Sequence, residues 1–343
     1  MLLLLALQVA EVQRVAFPDE RLVVSGLPWF AEDKPVLRRL PARLKESFRK
    51  PVWDLAQHPS GGRIRFRTDS LQVGLVAESP DASAMHHMTS VGQNGFDIYV
   101  DGEYLNSAWP DKDRKIVKTW AVGREKKLRD ITLYLPLYKA VTVKEIALDV
   151  GAKIEPPTPF ALPKPVVHYG SSITQGGCAS NAGASCQALV SRWLNVDFVN
   201  LGFSGNGLGE PAVAEAVAEI DASCYVLDFW GNPTPEVYEA ALPPFVDILR
   251  KKHPETPILV TSPFYFPGET LGGGLAAAQN RKRKIARDFV DGRKDPKIRF
   301  VDGLEMLSRE QAVGLVDGVH ANTLGFWFNA KGLEPHLRRA LGF

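Results

Sequence analysis

Ser172, Asp317 and His320 are the residue types that acyl transfer requires, and their placing suggests that they work together. A serine hydroxyl is a weak nucleophile at neutral pH and needs a base within hydrogen-bond reach. Histidine titrates close to working pH and suits that task. A carboxylate on the other ring nitrogen fixes the tautomer and stabilises the imidazolium. In Asp317-Gly318-Val319-His320 the carboxylate stands three residues before the imidazole, so one turn can present both groups to one site. Two further clusters offer donors for an anionic oxygen. Asn200-Leu201-Gly202-Phe203-Ser204-Gly205-Asn206-Gly207 is dense in glycine, which lets backbone approach a ligand and present an N–H. Trp230-Gly231-Asn232-Pro233 carries the side-chain amide of Asn232. Each piece also has a plainer reading. Ser171 and Ser172 are good helix caps, Gly205 fits a tight turn, and Asn232 fits the approach to a helix.

The elements that must hold these groups are legible in the C-terminal half. Val166-Val167-His168-Tyr169 is an apolar run that stops at Gly170, which predicts a buried strand turning sharply at its carboxyl end. Strands are expected at Phe198–Leu201, Tyr225–Phe229, Pro257–Thr261 and Ile298–Val301. Helices are expected at about 184–194, 211–220, 234–252, a long one ending near Asp291, and 325–341. Thr234-Pro235-Glu236 is a good start signal for the third of these. Alternating strand and helix predicts a parallel sheet flanked by helices. In such sheets ligands bind outside the carboxyl ends of the strands, where all four clusters fall.

From about Val23 to Val150 the grammar is different. Arg63–Thr68, Phe96–Val100, Thr132–Leu137 and Val141–Leu148 are short runs, the first two alternating cleanly, separated by turn residues such as Asp101-Gly102. That pattern predicts a β-sandwich or jelly roll with no catalytic constellation of its own. Residues 155–165 hold five prolines and predict a stiff joint between two domains.

A chain of 343 residues is long enough for two cores. A net charge of +2 argues against nucleic-acid or membrane-surface binding driven by charge alone. The run Arg281-Lys282-Arg283-Lys284 reads as a solvated helix face. Cys178, Cys186 and Cys224 are too few for a disulfide scaffold; Cys178 and Cys186 can pair in an oxidising compartment or stay as free buried thiols. His86-His87 suggests a metal pair, but on a strand neighbours point to opposite faces, so one ion does not take both. Trp29, Trp53 and Trp109 are read as core rather than as a sugar platform. Phe266–Gly274 is read as a mobile rim. The apolar run Met1–Leu7 is too short to span a bilayer and resembles the middle of a secretory signal, so residues 1–20 are assigned to a possible leader. A secreted or periplasmic location is the expectation, with a cytoplasmic one as the alternative.

These blocks together resemble the GDSL-like or SGNH hydrolases. Gly170-Ser171-Ser172-Ile173-Thr174 is similar to the nucleophile block, Gly205 to the glycine block, Asn232 to the asparagine block, and Asp317-Gly318-Val319-His320 to the last block. Gly95-Phe96-Asp97-Ile98-Tyr99 resembles the Gly-x-Asp-Leu-Tyr signature of a β-domain that precedes this module in one bacterial subgroup. Two positions depart from the pattern: Ser171 stands where the usual motif has Asp, and Asn232 is followed by Pro233 where many members have Asn-Asp. The resemblance implies a β-sandwich over residues 21–154, a linker over 155–165 and a flavodoxin-like three-layer α/β/α hydrolase domain over 166–343. It implies Ser172 as nucleophile, His320 as base, Asp317 as its orienting acid, and an oxyanion hole from the N–H groups of Ser172 and Gly205 and the Asn232 amide. It further implies no metal or organic cofactor. The expected partner is a small or saccharide ester, with neither nucleic acid nor membrane, and acyl transfer or sugar binding on an inactive scaffold stand as alternatives.

Overall fold

The computed structural model describes residues 11–81 and 83–343. Among them ten strands precede the linker: β1 (Val12–Ala16), β2 (Val23–Ser25), β3 (Arg63–Thr68), β4 (Gln72–Glu78), β5 (Phe96–Val100), β6 (Glu103–Ala108), β7 (Lys115–Ala121), β8 (Arg129–Tyr134), β9 (Thr142–Asp149) and β10 (Ile154–Glu155). They form two antiparallel sheets, β1-β9-β4-β7 and β10-β3-β8-β5-β6, with β2 also paired to β3. Alternate side chains from both sheets, including Ile64, Phe66, Leu75, Trp120, Leu133 and Ile146, fill the core between them. Helices α1 (Phe30–Asp33), α2 (Lys50–Ala56) and α3 (Ser90–Asn94) lie in its connections.

Residues 12–16 fall within the leader expected over 1–20, yet they pair with β9 from Val12↔Asp149 to Ala16↔Glu145. The β-domain therefore begins no later than Val12. The apolar run at the extreme N-terminus lies outside the described residues.

After the linker come β11 (Val166–Gly170), α4 (Ser172–Gln175), α5 (Cys186–Leu194), β12 (Phe198–Gly202), α6 (Pro211–Ala218), β13 (Cys224–Asp228), α7 (Pro235–Lys252), β14 (Ile258–Thr261), α8 (Gly273–Arg293), β15 (Ile298–Val301), α9 (Gly303–Met306) and α10 (Thr323–Leu341). The sheet is parallel in the order β12-β11-β13-β14-β15. Its strands are buried almost throughout, which explains their unbroken apolar runs. The order reverses at β11, and the crevice at such a switch point opens outside that strand's carboxyl end. Ser172 lies two residues past the end of β11.

A second core joins the two units. Trp29, Phe48, Val52, Tyr99, Tyr134 and Tyr138 from the N-terminal half pack with Tyr169, Phe198 and Phe203 of the C-terminal half. Arg39 is fully buried and crosses between them, donating to the carbonyls of Leu55 and His58 on one side and of Asn200 and Gly202 on the other. The proline-rich joint is held to both: Arg65 donates to the Thr158 carbonyl at 2.7 Å, and the Ala161 N–H to that of Asn195 at 2.7 Å. No described helix is long and apolar enough to cross a membrane.

Two imidazoles in this scaffold make stability pH-dependent. His168 lies in the middle of β11, and burial pushes it down to about 3. Burial, then the nearby Arg39 and Lys139 charges, bring His58 to about 3 as well. Unfolded imidazoles take up protons below about 6.5, whereas these stay neutral until about 3, so the unfolded chain binds more protons between those limits. Stability is therefore full above the upper limit and falls as pH drops through the window. The melting temperature should fall from pH 7 to pH 5, with a shallower slope in His58→Gln. Parallel slopes would contradict this assignment.

Candidate active site

The loop that carries Ser172 is built by burial and capping. Ser171 has an extended backbone and caps α4, its Oγ accepting the Ile173 N–H at 3.2 Å. The capping reading thus applies to Ser171, which leaves the hydroxyl of Ser172 free. Beneath the loop, Asp228 at the end of β13 accepts from Thr174 Oγ1 at 2.9 Å, Thr261 Oγ1 at 2.5 Å and the Trp230 indole N–H at 2.8 Å. Burial pushes the Asp228 carboxyl up, against the pull of those three donors. The Asn200 amide donates to the Thr174 carbonyl at 2.8 Å, tying the loop to β12.

His320 arrives from a turn that closes on itself. The Val316 N–H donates to the His320 carbonyl at 2.8 Å, and Gly318 in between has φ +81°, a conformation that disfavours a side chain. Asp317 Oδ1 accepts the N–H groups of Val319 (3.0 Å) and His320 (2.8 Å). Its Oδ2 lies 2.7 Å from His320 Nδ1. An ionised carboxylate only accepts, so Nδ1 carries the proton and Nε2 presents a lone pair. The Ser172 hydroxyl lies 2.9 Å from that Nε2, a contact between residues 148 apart in sequence. Partial burial pushes the Asp317 carboxyl up, but the hydrogen bonds from His320 and Val319 outweigh it and hold the group at about 2.

The three expected oxyanion donors lie on neighbouring loops. Gly205 has φ +69°, and a Cβ added there meets nothing within 4 Å, so glycine is required by conformation and not by space. Asn232 Oδ1 accepts the Gly207 N–H at 3.0 Å, which orients the amide and leaves its NH2 to donate. Among the described residues, nothing accepts from the Ser172 N–H, the Gly205 N–H or the Asn232 side-chain NH2.

Residues of the β-domain reach this site, which sequence reasoning missed. The Tyr138 hydroxyl donates to the Ser172 carbonyl at 3.1 Å. Gln175 donates to the Leu137 carbonyl and accepts the Ser204 N–H, each at 3.0 Å, joining the β-domain to the Gly205 loop. Asp97 of the Gly-Phe-Asp-Ile-Tyr segment accepts from Asn181 Nδ2 and the Gly183 N–H, each at 2.6 Å. Ser180 next door meets Thr323 Oγ1 at 2.6 Å, three residues beyond His320. These partners are far apart in sequence, so no local periodicity signals them. His86 and His87 lie in a turn and not in a strand, and the His87 ring centroid is 5.6 Å from that of His320.

Other expectations are corrected or placed. The rim 266–274 is pinned: Glu269 accepts the Phe266 N–H at 2.8 Å and pairs with Arg283, and α8 already starts at Gly273. Arg283 also donates to the carbonyls of Pro263 and Phe264, and Lys282 is buried, so the basic run is not simply a solvated face. Cys178, Cys186 and Cys224 are free and buried. Trp29 is core and donates to Glu219 at 3.1 Å, whereas Trp109 is exposed.

With the fold and this geometry in place, comparison with known proteins is direct. A family model described as the GDSL-like lipase/acylhydrolase family matches residues 163–338. The chain belongs to the GDSL-like lipase/acylhydrolase family. A second model, the GxDLY N-terminus of SGNH-hydrolase-type esterases, matches residues 16–154. No curated protein matches this GDSL-like chain. Among solved structures, a Bacteroides ovatus protein assigned as a GDSL-like lipase is 28% identical with a TM-score of 0.88, over 97% of this chain and 98% of that one. The salicylyl-acyltransferase SsfX3 of a tetracycline biosynthetic pathway is 22% identical with a TM-score of 0.80, over 96% and 98%. A family two carbohydrate esterase from Cellvibrio japonicus is 12% identical with a TM-score of 0.66, over 97% and 98%. At these identities the last two share the fold with this GDSL-like chain.

Proposed function

We propose that the chain is a serine ester hydrolase that removes small O-acyl groups, acetyl foremost, from a carbohydrate alcohol through an acyl-enzyme on Ser172. The observation that carries this reading is the continuous line Ser172 Oγ, His320 Nε2, His320 Nδ1, Asp317 Oδ2, with contacts of 2.9 and 2.7 Å. Ser172 Oγ attacks the ester carbonyl while His320 Nε2 takes its proton. Asp317, ionised down to about 2, holds the imidazole and balances its charge. The tetrahedral oxyanion is met by the N–H groups of Ser172 and Gly205 and the Asn232 amide, each worth about 3 kcal/mol of barrier. The intermediate expels the alcohol, which leaves with the proton held on His320. Water, deprotonated by His320, then attacks the acyl-enzyme, releases the acid and restores Ser172.

A short acyl group is supported by the burial of Ser172, which is 7% exposed. The carbohydrate part is supported by the fold shared with a carbohydrate esterase over 97% of the chain. The test is turnover of acetylated xylose and of p-nitrophenyl esters from acetate to octanoate, with a competing alcohol present. Acetyl esters should exceed octanoyl esters by at least roughly tenfold, and free acetate should be the main product. Preference for octanoate would overturn the acyl assignment, and accumulation of the competing alcohol's ester would make the chain a transferase.

A further inference from the structure

His87, Cys178 and His320 come from three separate segments: the turn before α3, the stretch just after α4, and the loop before α10. Their ligand atoms all lie within 4.8 Å of one another. Cys178 Sγ donates to the His87 carbonyl at 3.5 Å, which holds the thiol beside the His87 backbone. Two imidazoles and one sulfur form a donor set suited to Zn2+ and poorly suited to Mg2+ or Ca2+. Asp317 on Nδ1 of His320 is also the carboxylate–histidine arrangement that orients an imidazole toward a metal. The lone pair offered on Nε2 is the one that takes the Ser172 proton in the reading above. A metal and a proton cannot share it.

We propose that His87, Cys178 and His320 form an inhibitory zinc site, in which Zn2+ occupies Nε2 of the catalytic base and switches the hydrolase off. As the sulfur–zinc bond forms, the Cys178 thiol releases its proton to solvent. Both imidazoles bind neutral and the zinc keeps its oxidation state, with water in the fourth position. The β-domain thereby takes part in control, since it supplies His87.

The test titrates the full chain with zinc chloride during p-nitrophenyl acetate turnover, then adds EDTA. Wild type should be inhibited and should recover with EDTA. His87→Ala and Cys178→Ser should keep their zinc-free turnover, while the zinc concentration for half inhibition rises about tenfold or more. Equal sensitivity in both variants, or no inhibition of the wild type, would overturn the site. The inhibition readout rests on the hydrolase reading, so a second readout is independent of turnover. Cobalt chloride alone should give the wild type a thiolate-to-cobalt charge-transfer absorption that Cys178→Ser lacks. Absence of that band in the wild type would overturn the site even if the chain hydrolyses no ester, and its presence would support the site in the same circumstance.

Discussion

Ser172→Ala should lower turnover of p-nitrophenyl acetate by about 10⁴-fold or more, with the fold intact. Only the hydroxyl is removed, and among the described residues its one hydrogen bond is to His320 Nε2. Asp317→Asn should cost a comparable factor, because an amide donating to Nδ1 turns the proton onto Nε2 and removes the base. The double variant Ser172→Ala/His320→Ala should be no worse than either single variant, since the two act as one unit. Ser171→Asp is the contrasting case. Ser171 serves as the cap of α4, and Asp is an equally good cap, so the loss should stay within about tenfold. Steady-state kinetics on the wild type and these five variants, His320→Ala included, decides the matter. Equal losses for Ser171→Asp and Asp317→Asn would show that the wrong groups have been assigned.

The second large effect is structural. Asp97→Ala should lower stability by about 4 kcal/mol, because it strands the half-buried Asn181 Nδ2 and the buried Gly183 N–H, and takes from Ser107 Oγ one of its two partners, the other being the Tyr104 hydroxyl. For a chain of 343 residues that unfolds as one unit, that corresponds to about 6 °C in melting temperature. Two of the donors belong to the segment between Ser172 and α5, and Ser180 in that segment contacts Thr323 beside the His320 turn. Turnover should therefore fall in Asp97→Ala even at temperatures where the protein is folded. Ser107→Ala, which removes only the contacts to Asp97 and Tyr104 within the β-domain, should cost about 1 kcal/mol and leave kcat unchanged. Calorimetry and kinetics that rank the two variants equally would remove Asp97 as the strut between the halves.

These two residues mark where the sequence is transparent and where it is opaque. The parallel half was legible because its strands are buried on both faces and its helices carry local signals. Thr234 caps α7 as its position before Pro235 and Glu236 suggests, accepting the Val237 N–H at 3.3 Å. The meeting of Ser172, Asp317 and His320 was legible because the chemistry expected of them restricts them to few residue types. In the β-domain the reading was poorer: β6 and β7 are edge strands whose many exposed residues blur the alternation. Asp97 was legible as part of a signature, but its partners lie 84 and 86 residues away, and no pattern in the chain announces such a contact. The same holds for Arg39, whose carbonyl acceptors are backbone atoms and leave no trace in residue identity. The pinned rim was misread because its glycines suggested mobility, while the opposing restraint, Arg283 on Glu269, comes from inside a run that looked merely basic.

In the proposed reaction Ser172, activated by His320, carries the acyl group. Labelling the protein with a fluorophosphonate and locating the adduct by tandem mass spectrometry tests it most directly. A single adduct on Ser172, lost in His320→Ala, is the predicted result. An adduct on Ser171 or Ser204, or undiminished labelling without His320, would contradict it.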